Sequence, residues 1–244
     1  NWLSSDIEYK GWANPEFDDS GWQHAISMGD ALSDPWFTAG NIPEFSKDVL
    51  NAITSLILKK LKKEPPAHAA VKLFKGVPRL FVNNKLVFPL LFCSTDLVEF
   101  AADFADIGIH IFQPRYNLSN FWLAPNTYDF KALETHLVRI LFTNPEATFL
   151  VLVMLEPPDW WKDKHLEELV KYADGTGFIG DVWGGTKQAS FASKLWLADA
   201  TAALRALIRF LEASPVRSHI IGYHIANGIY GEWHYFGACH LPDT

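Results

Sequence analysis

The chain has 244 residues, of which 49% are hydrophobic and 20% charged, so it carries enough apolar side chain for one large core or two smaller ones. Its formal net charge of −7 excludes the broad basic surface that binding to nucleic acid or to an anionic membrane requires. No run reaches the roughly 20 apolar residues that span a bilayer, and the two cysteines, Cys93 and Cys239, set neither a disulfide framework nor a metal site.

Residues 1–45 are rich in Asp, Gly, Pro and Trp, and Trp2, Trp12, Trp22 and Trp36 are separated by turn residues. That pattern predicts short β-strands and loops, a fragment too small to bury a core alone. Asn1 to Lys10 lacks the basic start and apolar run of a secretory leader, which leaves the compartment open, with secretion or a periplasm among the options. Residues 46–75 read as a helical connector: Val49 to Leu61 has helical periodicity, and Pro65-Pro66 breaks it. The basic run Lys59-Lys60-Leu61-Lys62-Lys63 sits where a helix C-terminus welcomes cations, so it reads as a solvated helix end.

From residue 76 onward the pattern changes. Asn83-Asn84-Lys85 lies between two apolar runs and predicts a hairpin, followed by a strand at Leu90 to Ser94. Helix and strand then alternate: a helix over Asp96 to Ile107 with a Ser94/Thr95 cap, a strand over Ile109 to Gln113, and a helix over Asp129 to Phe142. A third strand follows at Phe149 to Leu155. The helix predicted over Ser193 to Ser214 places Leu195, Ala198, Ala202, Leu204, Leu207, Ile208 and Leu211 on its apolar face, and a fourth strand spans Ile220 to Ile225. Such alternation signals parallel βα units. Four units are half of an eightfold barrel, which takes about 250 residues, so the expectation is that the natural chain continues past Thr244 or that another half associates with it.

Side chains at the carboxyl ends of parallel strands converge on one mouth. Here those ends supply Cys93 and Ser94; Gln113, Arg115 and Tyr116, with Asn117 following; Glu156, Asp159, Trp160 and Trp161; and His224, Asn227, Glu232, Trp233, His234 and Tyr235. Polar groups mixed with aromatics suit a sugar, whose C–H face stacks on Trp or Tyr while its hydroxyls need Arg, Asn and Gln. An aromatic share of 14%, with ten Trp, fits the same ligand class. Glu232 stands among Tyr230, Trp233 and Tyr235, where desolvation raises a carboxyl pKa as a general acid requires. Glu156 is a second strand-end carboxylate, with substrate binding or loop structure as its alternatives to catalysis.

The segments Tyr128-Asp-Phe130, Pro157-Pro-Asp-Trp-Trp161, Tyr172-Ala-Asp-Gly175, Ser190-Phe-Ala-Ser193 and Ile221-Gly-Tyr-His-Ile225 resemble, in order, barrel segments of clan A glycoside hydrolases, nearest to β-galactosidase-like members related to family 42. Gly11 to Trp22, containing Asp18-Asp-Ser-Gly-Trp22, resembles part of a galactose-binding-like jelly-roll domain. The resemblance implies an N-terminal half of a (β/α)₈ barrel over residues 76–244 and a retaining two-carboxylate mechanism that needs no cofactor. It also implies Glu232 as acid/base, with Gln113, Arg115, Tyr116, Asn117, Glu156, Trp160, Trp161, His224, Asn227, Trp233 and Tyr235 binding substrate. In that clan an Asn directly precedes the acid/base Glu, whereas here Gly228 follows Asn227, and the nucleophile lies on a later strand. The reading left open beside it is a carbohydrate-binding or structural protein without turnover.

A metal-dependent hydrolase finds less support. His110, His224, His234 and His240 lack partners at ligand spacing. Gly175-Thr-Gly177 and Gly184-Gly185 lack the Lys and strand-helix context of a phosphate loop.

Overall fold

The computed structural model describes residues 3–4, 18, 20, 23–24, 47–94, 97–171, 187–227, 231 and 233. The chain divides into two units, Asn1–Ile42 and Pro43–Thr244. In the first, β1 (Leu3–Ser4) pairs antiparallel with β2 (Gln23–His24). Between them Asp18 accepts a hydrogen bond from the Ser20 amide at 3.0 Å, and its bonds with Ser20 hold its carboxyl below the usual pKa. The other residues of the predicted sugar-binding-like fragment lie outside the described residues.

The second unit begins with α1 (Lys47–Leu61). Its apolar side chains Ile57, Leu58 and Leu61 pack on the core, while Lys59 and Lys60 stand exposed in the last turn beside the unpaired carbonyls. A three-stranded antiparallel meander follows: β3 (Ala69–Phe74), β4 (Val77–Val82) and β5 (Lys85–Val87). The expected hairpin about Asn83-Asn84 is present, both residues having positive φ, 49° and 64°, as a two-residue turn with the twist of its strands demands. Lys75-Gly76, at 49° and 78°, makes a second such turn. Ala69–Phe74, inside the segment read as a helical connector, is therefore a strand.

The remaining elements are β6 (Leu91–Phe92), α2 (Leu97–Asp106), β7 (Ile111–Phe112), β8 (Arg115–Asn117), the hairpin β9 (Trp122–Ala124) and β10 (Thr127–Tyr128), α3 (Lys131–Thr143), β11 (Thr148–Leu155), α4 (Asp159–Lys164), α5 (Lys194–Ala213) and β12 (Ile220–Asn227). β6, β7, β11 and β12 lie side by side in chain order and all pair parallel, with β8 pairing farther along β11. The architecture is mixed α/β around this parallel sheet.

Strand alternation decides what each face does. Phe149, Val151 and Val153 of β11 are fully buried against Leu97 and Ala101 of α2, Leu137, Val138 and Ile140 of α3, and Ala203, Leu207 and Leu211 of α5. The opposite face carries Leu152 and Met154, which form a small separate cluster with Ala226. Thus the helices cover one side of the sheet.

On α5 the buried residues are Trp196, Ala200, Ala203, Leu207 and Leu211, so the stripe read in the sequence holds at Leu207 and Leu211 and is displaced in the first half of the helix. Leu195, Ala198 and Ala202 are exposed. Trp196 outweighs the smaller side chains because its large ring gains most from burial, and it turns the helix to bring itself inward. Ser193 caps this helix, its hydroxyl accepting from the Trp196 amide at 2.9 Å. Ser193→Ala leaves that donor unpaired in a buried site and is expected to lower stability by about 1 kcal/mol, read from the urea midpoint.

Candidate functional site

In the register of the parallel sheet, Arg115 on β8, Leu152 on β11 and His224 on β12 form one row. Asn117, Met154 and Ala226 form the next. Both rows belong to the face away from the helices. Gln113, just before β8, donates from Nε2 to His224 Nδ1 at 3.2 Å, although β11 stands between their strands. Neighbouring strands are about 4.8 Å apart, so side chains two strands apart meet when the face between them is concave. That bond leaves His224 Nε2 as the protonated nitrogen of the neutral ring. Arg115 Nη2 lies 4.0 Å from the Met154 sulfur. The face therefore presents an amide, a guanidinium and an imidazole around an apolar floor.

Period-two alternation divides the remaining candidates. Tyr116 pairs in register with Val153 and so turns to the helix side, where its hydroxyl meets His136 Nδ1 of α3 at 2.7 Å. Burial pushes the Tyr116 phenol well above its ordinary pKa and depresses His136 to about 4, with Arg139 adding to the depression of the imidazole. The phenol is protonated and the imidazole neutral, so one hydrogen bond joins them. Tyr116, read in the sequence as a substrate contact, is 8% exposed and joined to the core. Asn227 shares the strand parity of Tyr223 and Ile225, and it is buried opposite Leu155 at the end of β12. Glu156, partly exposed, directly follows Leu155, so Glu156 and Asn227 stand at the ends of adjacent strands.

The Trp pair also separates. Trp161 is fully buried, its ring packed on Trp196 and His165 and its Nε1 donating to Asp199 Oδ2 at 2.8 Å. That ring, one of the two read in the sequence as stacking on sugar, has no exposed surface, as is usual for one member of a Trp-Trp pair. Trp160 remains partly exposed, and its Nε1 donates to the Trp122 carbonyl at 3.0 Å. Trp233 is 63% exposed, with its ring 6.4 Å from that of Phe191. Glu232, His234, Tyr235 and His240 lie outside the described residues.

Of the histidines singled out in the sequence, His110 is tied into the surrounding structure. His110 Nδ1 bonds the buried Asn144 side chain at 3.0 Å, and its Nε2 is 3.6 Å from Glu146. Among the described residues no group of three His, Cys, Asp or Glu side chains is placed to hold a metal ion. The contact that sequence reasoning missed is the one between Gln113 and His224, which are 111 residues apart. Their strand-end positions were the only signal, and pairing them needs the order of the strands.

No family model and no curated protein matches the chain. A solved structure titled as a β-galactosidase from the psychrophilic Marinomonas ef1 aligns with 17% identity and a TM-score of 0.43, over 62% of this chain and 22% of that one. This chain thus spans about a fifth of that enzyme's length.

Proposed function

We propose that this chain carries part of a glycoside hydrolase site on a (β/α)₈-type barrel, with Glu232 as general acid/base in a retaining mechanism. The observation that carries the reading is the sheet face away from the helices, where Gln113 and His224 are hydrogen-bonded beside Arg115. Parallel strands that follow one another in chain order are the arrangement from which a barrel closes, and strand carboxyl ends are where such folds place chemistry. In this reading the Gln113 amide, the Arg115 guanidinium and His224 Nε2 hold sugar hydroxyls. Glu156, partly exposed at the end of β11, adds an acceptor on the rim. Trp233 supplies an exposed ring for the apolar sugar face.

Chemically, Glu232 would protonate the departing glycosidic oxygen while a second carboxylate attacks the anomeric carbon, and Glu232 would then deprotonate the water that releases the sugar. The resemblance places that second carboxylate on a later strand. No cofactor enters the mechanism. The substrate would be a glycoside or oligosaccharide, with β-galactosides the first class to examine.

The test is Glu232→Gln in the protein that carries this chain, assayed on aryl β-glycosides. Loss of at least about 100-fold in kcat/KM is expected where the leaving group needs a proton, and far less with a dinitrophenyl leaving group that departs unaided. An equal loss on both substrates, or none on either, would remove Glu232 from the acid/base role. Absence of hydrolysis by the unaltered protein would leave a carbohydrate-binding role in its place.

A further inference from the structure

On the helix side of the sheet lies a cleft of about 260 Å³ walled by Trp122, Tyr128, Trp160, Lys164, His165 and Asp199. It shares no residue with the face that carries Gln113, Arg115 and His224. Its walls come from the β9–β10 hairpin, from α4 and its end, and from the first half of α5, where the exposed Leu195 and Ala202 complete it. This accounts for an apolar strip on α5 that the core does not use.

We propose that this cleft is a second, non-catalytic carbohydrate site that takes one neutral pyranose ring. Trp122 and Trp160 meet at 88° with centroids 5.1 Å apart, while Tyr128 stacks alongside Trp122 at 6.3 Å and 28°. The bond from Trp160 Nε1 to the Trp122 carbonyl fixes this corner before any ligand arrives. Trp122 is buried behind this corner, stacked also on Trp196 at 6.2 Å and 23°, so the half-exposed rings of Trp160 and Tyr128 are the surface that meets an apolar C–H face, held in place at little ordering cost. Asp199 is oriented by Trp161, and it raises the Tyr128 phenol pKa together with burial, the larger cause. Acceptor and donor thus stand on one rim: the Asp199 carboxylate, with the Lys164 ammonium and the His165 ring.

The charges select the ligand class. An anion would gain from Lys164 and lose against Asp199, and a cation the reverse, whereas the hydroxyls of a neutral sugar use both. The volume lies just below the roughly 300 Å³ at which pockets for larger ligands begin, so one ring fits it better than an extended chain.

The test is a titration of protein labelled with ¹⁵N in its indoles, using methyl pyranosides of glucose, galactose and mannose. At least one is expected to shift the Trp160 or Trp122 indole resonance saturably, with Kd on the order of 1 mM. Lys164→Ala, on the exposed end of α4, should weaken that binding by about tenfold without disturbing the fold, and Trp160→Ala should abolish it. Arg115→Ala, on the other face of the sheet, should leave it unchanged, which separates this site from the hydrolytic one. The proposal is overturned if no sugar gives a saturable shift, if Lys164→Ala and Trp160→Ala bind as the parent does, or if acetate or tetramethylammonium binds tighter than every sugar.

Discussion

Trp161→Ala is expected to destabilise the protein by about 3–5 kcal/mol, the range for removing a fully buried aromatic ring whose cavity does not collapse. The ring has no exposed surface and is held on two sides, by Trp196 at a centroid distance of 4.9 Å and by His165 at 4.8 Å. It also supplies the hydrogen bond that orients Asp199, so alanine leaves a partly buried carboxylate without that donor. Trp161→Phe separates the two contributions. It keeps most of the packing volume and loses the indole N–H, so it should cost about 1–2 kcal/mol. Denaturant midpoints at neutral pH measure both. An alanine variant within 1 kcal/mol of the parent would show that α4 does not anchor this ring in the core.

Acid should destabilise the fold through His136. In the unfolded chain its imidazole titrates near 6.5, whereas burial against Tyr116 and α3 depresses it to about 4 in the folded state. Between those values the unfolded chain binds a proton that the folded chain refuses, so stability rises with pH across the window. The full contribution is present above about pH 6.5, falls as the pH drops toward 4, and falls no further below that. At 1.36 kcal/mol per pH unit the window is worth about 3 kcal/mol. His136→Gln retains an acceptor for the Tyr116 hydroxyl and has no proton to gain. Its denaturant midpoint should therefore lack most of the slope that the parent shows between pH 4 and 6.5. Equal slopes in parent and variant would place the acid sensitivity elsewhere.

Both predictions concern residues that sequence reading assigned to a sugar pocket or did not consider. Arg115, Tyr116 and Asn117 are consecutive, so a list of strand-end residues names all three. A strand can present only alternate side chains to one face, and register with Leu152, Val153 and Met154 sends Tyr116 to the helix side. The same reasoning splits Trp160 from Trp161, since on a short helix adjacent side chains point about 100° apart and one of them takes the core. On α5, counting apolar residues found the helix but misplaced its buried stripe, because Leu195 and Trp196 compete for the core and the larger ring took it.

Local chemistry was enough for most elements. Periodicity located α1, α3 and α5 and the strands β11 and β12 to within about two residues, because apolar spacing and capping are properties of neighbouring positions. The strand β3 was missed because its turn, Lys75-Gly76, is a weaker signal than Asn83-Asn84.

What the sequence by itself determined is therefore the alternation of helices and strands, an acidic balance that offers no basic surface, a high aromatic share, and the set of polar residues near strand ends. Tertiary structure alone decided the pairing of β8 with β11, the bond between Gln113 and His224, and the cleft that gathers Trp122, Trp160 and Asp199. The physical reason is distance along the chain. Periodicity reports contacts within a turn or a strand, whereas faces, rows and clefts are made by residues dozens of positions apart, which only packing of the shared core brings together.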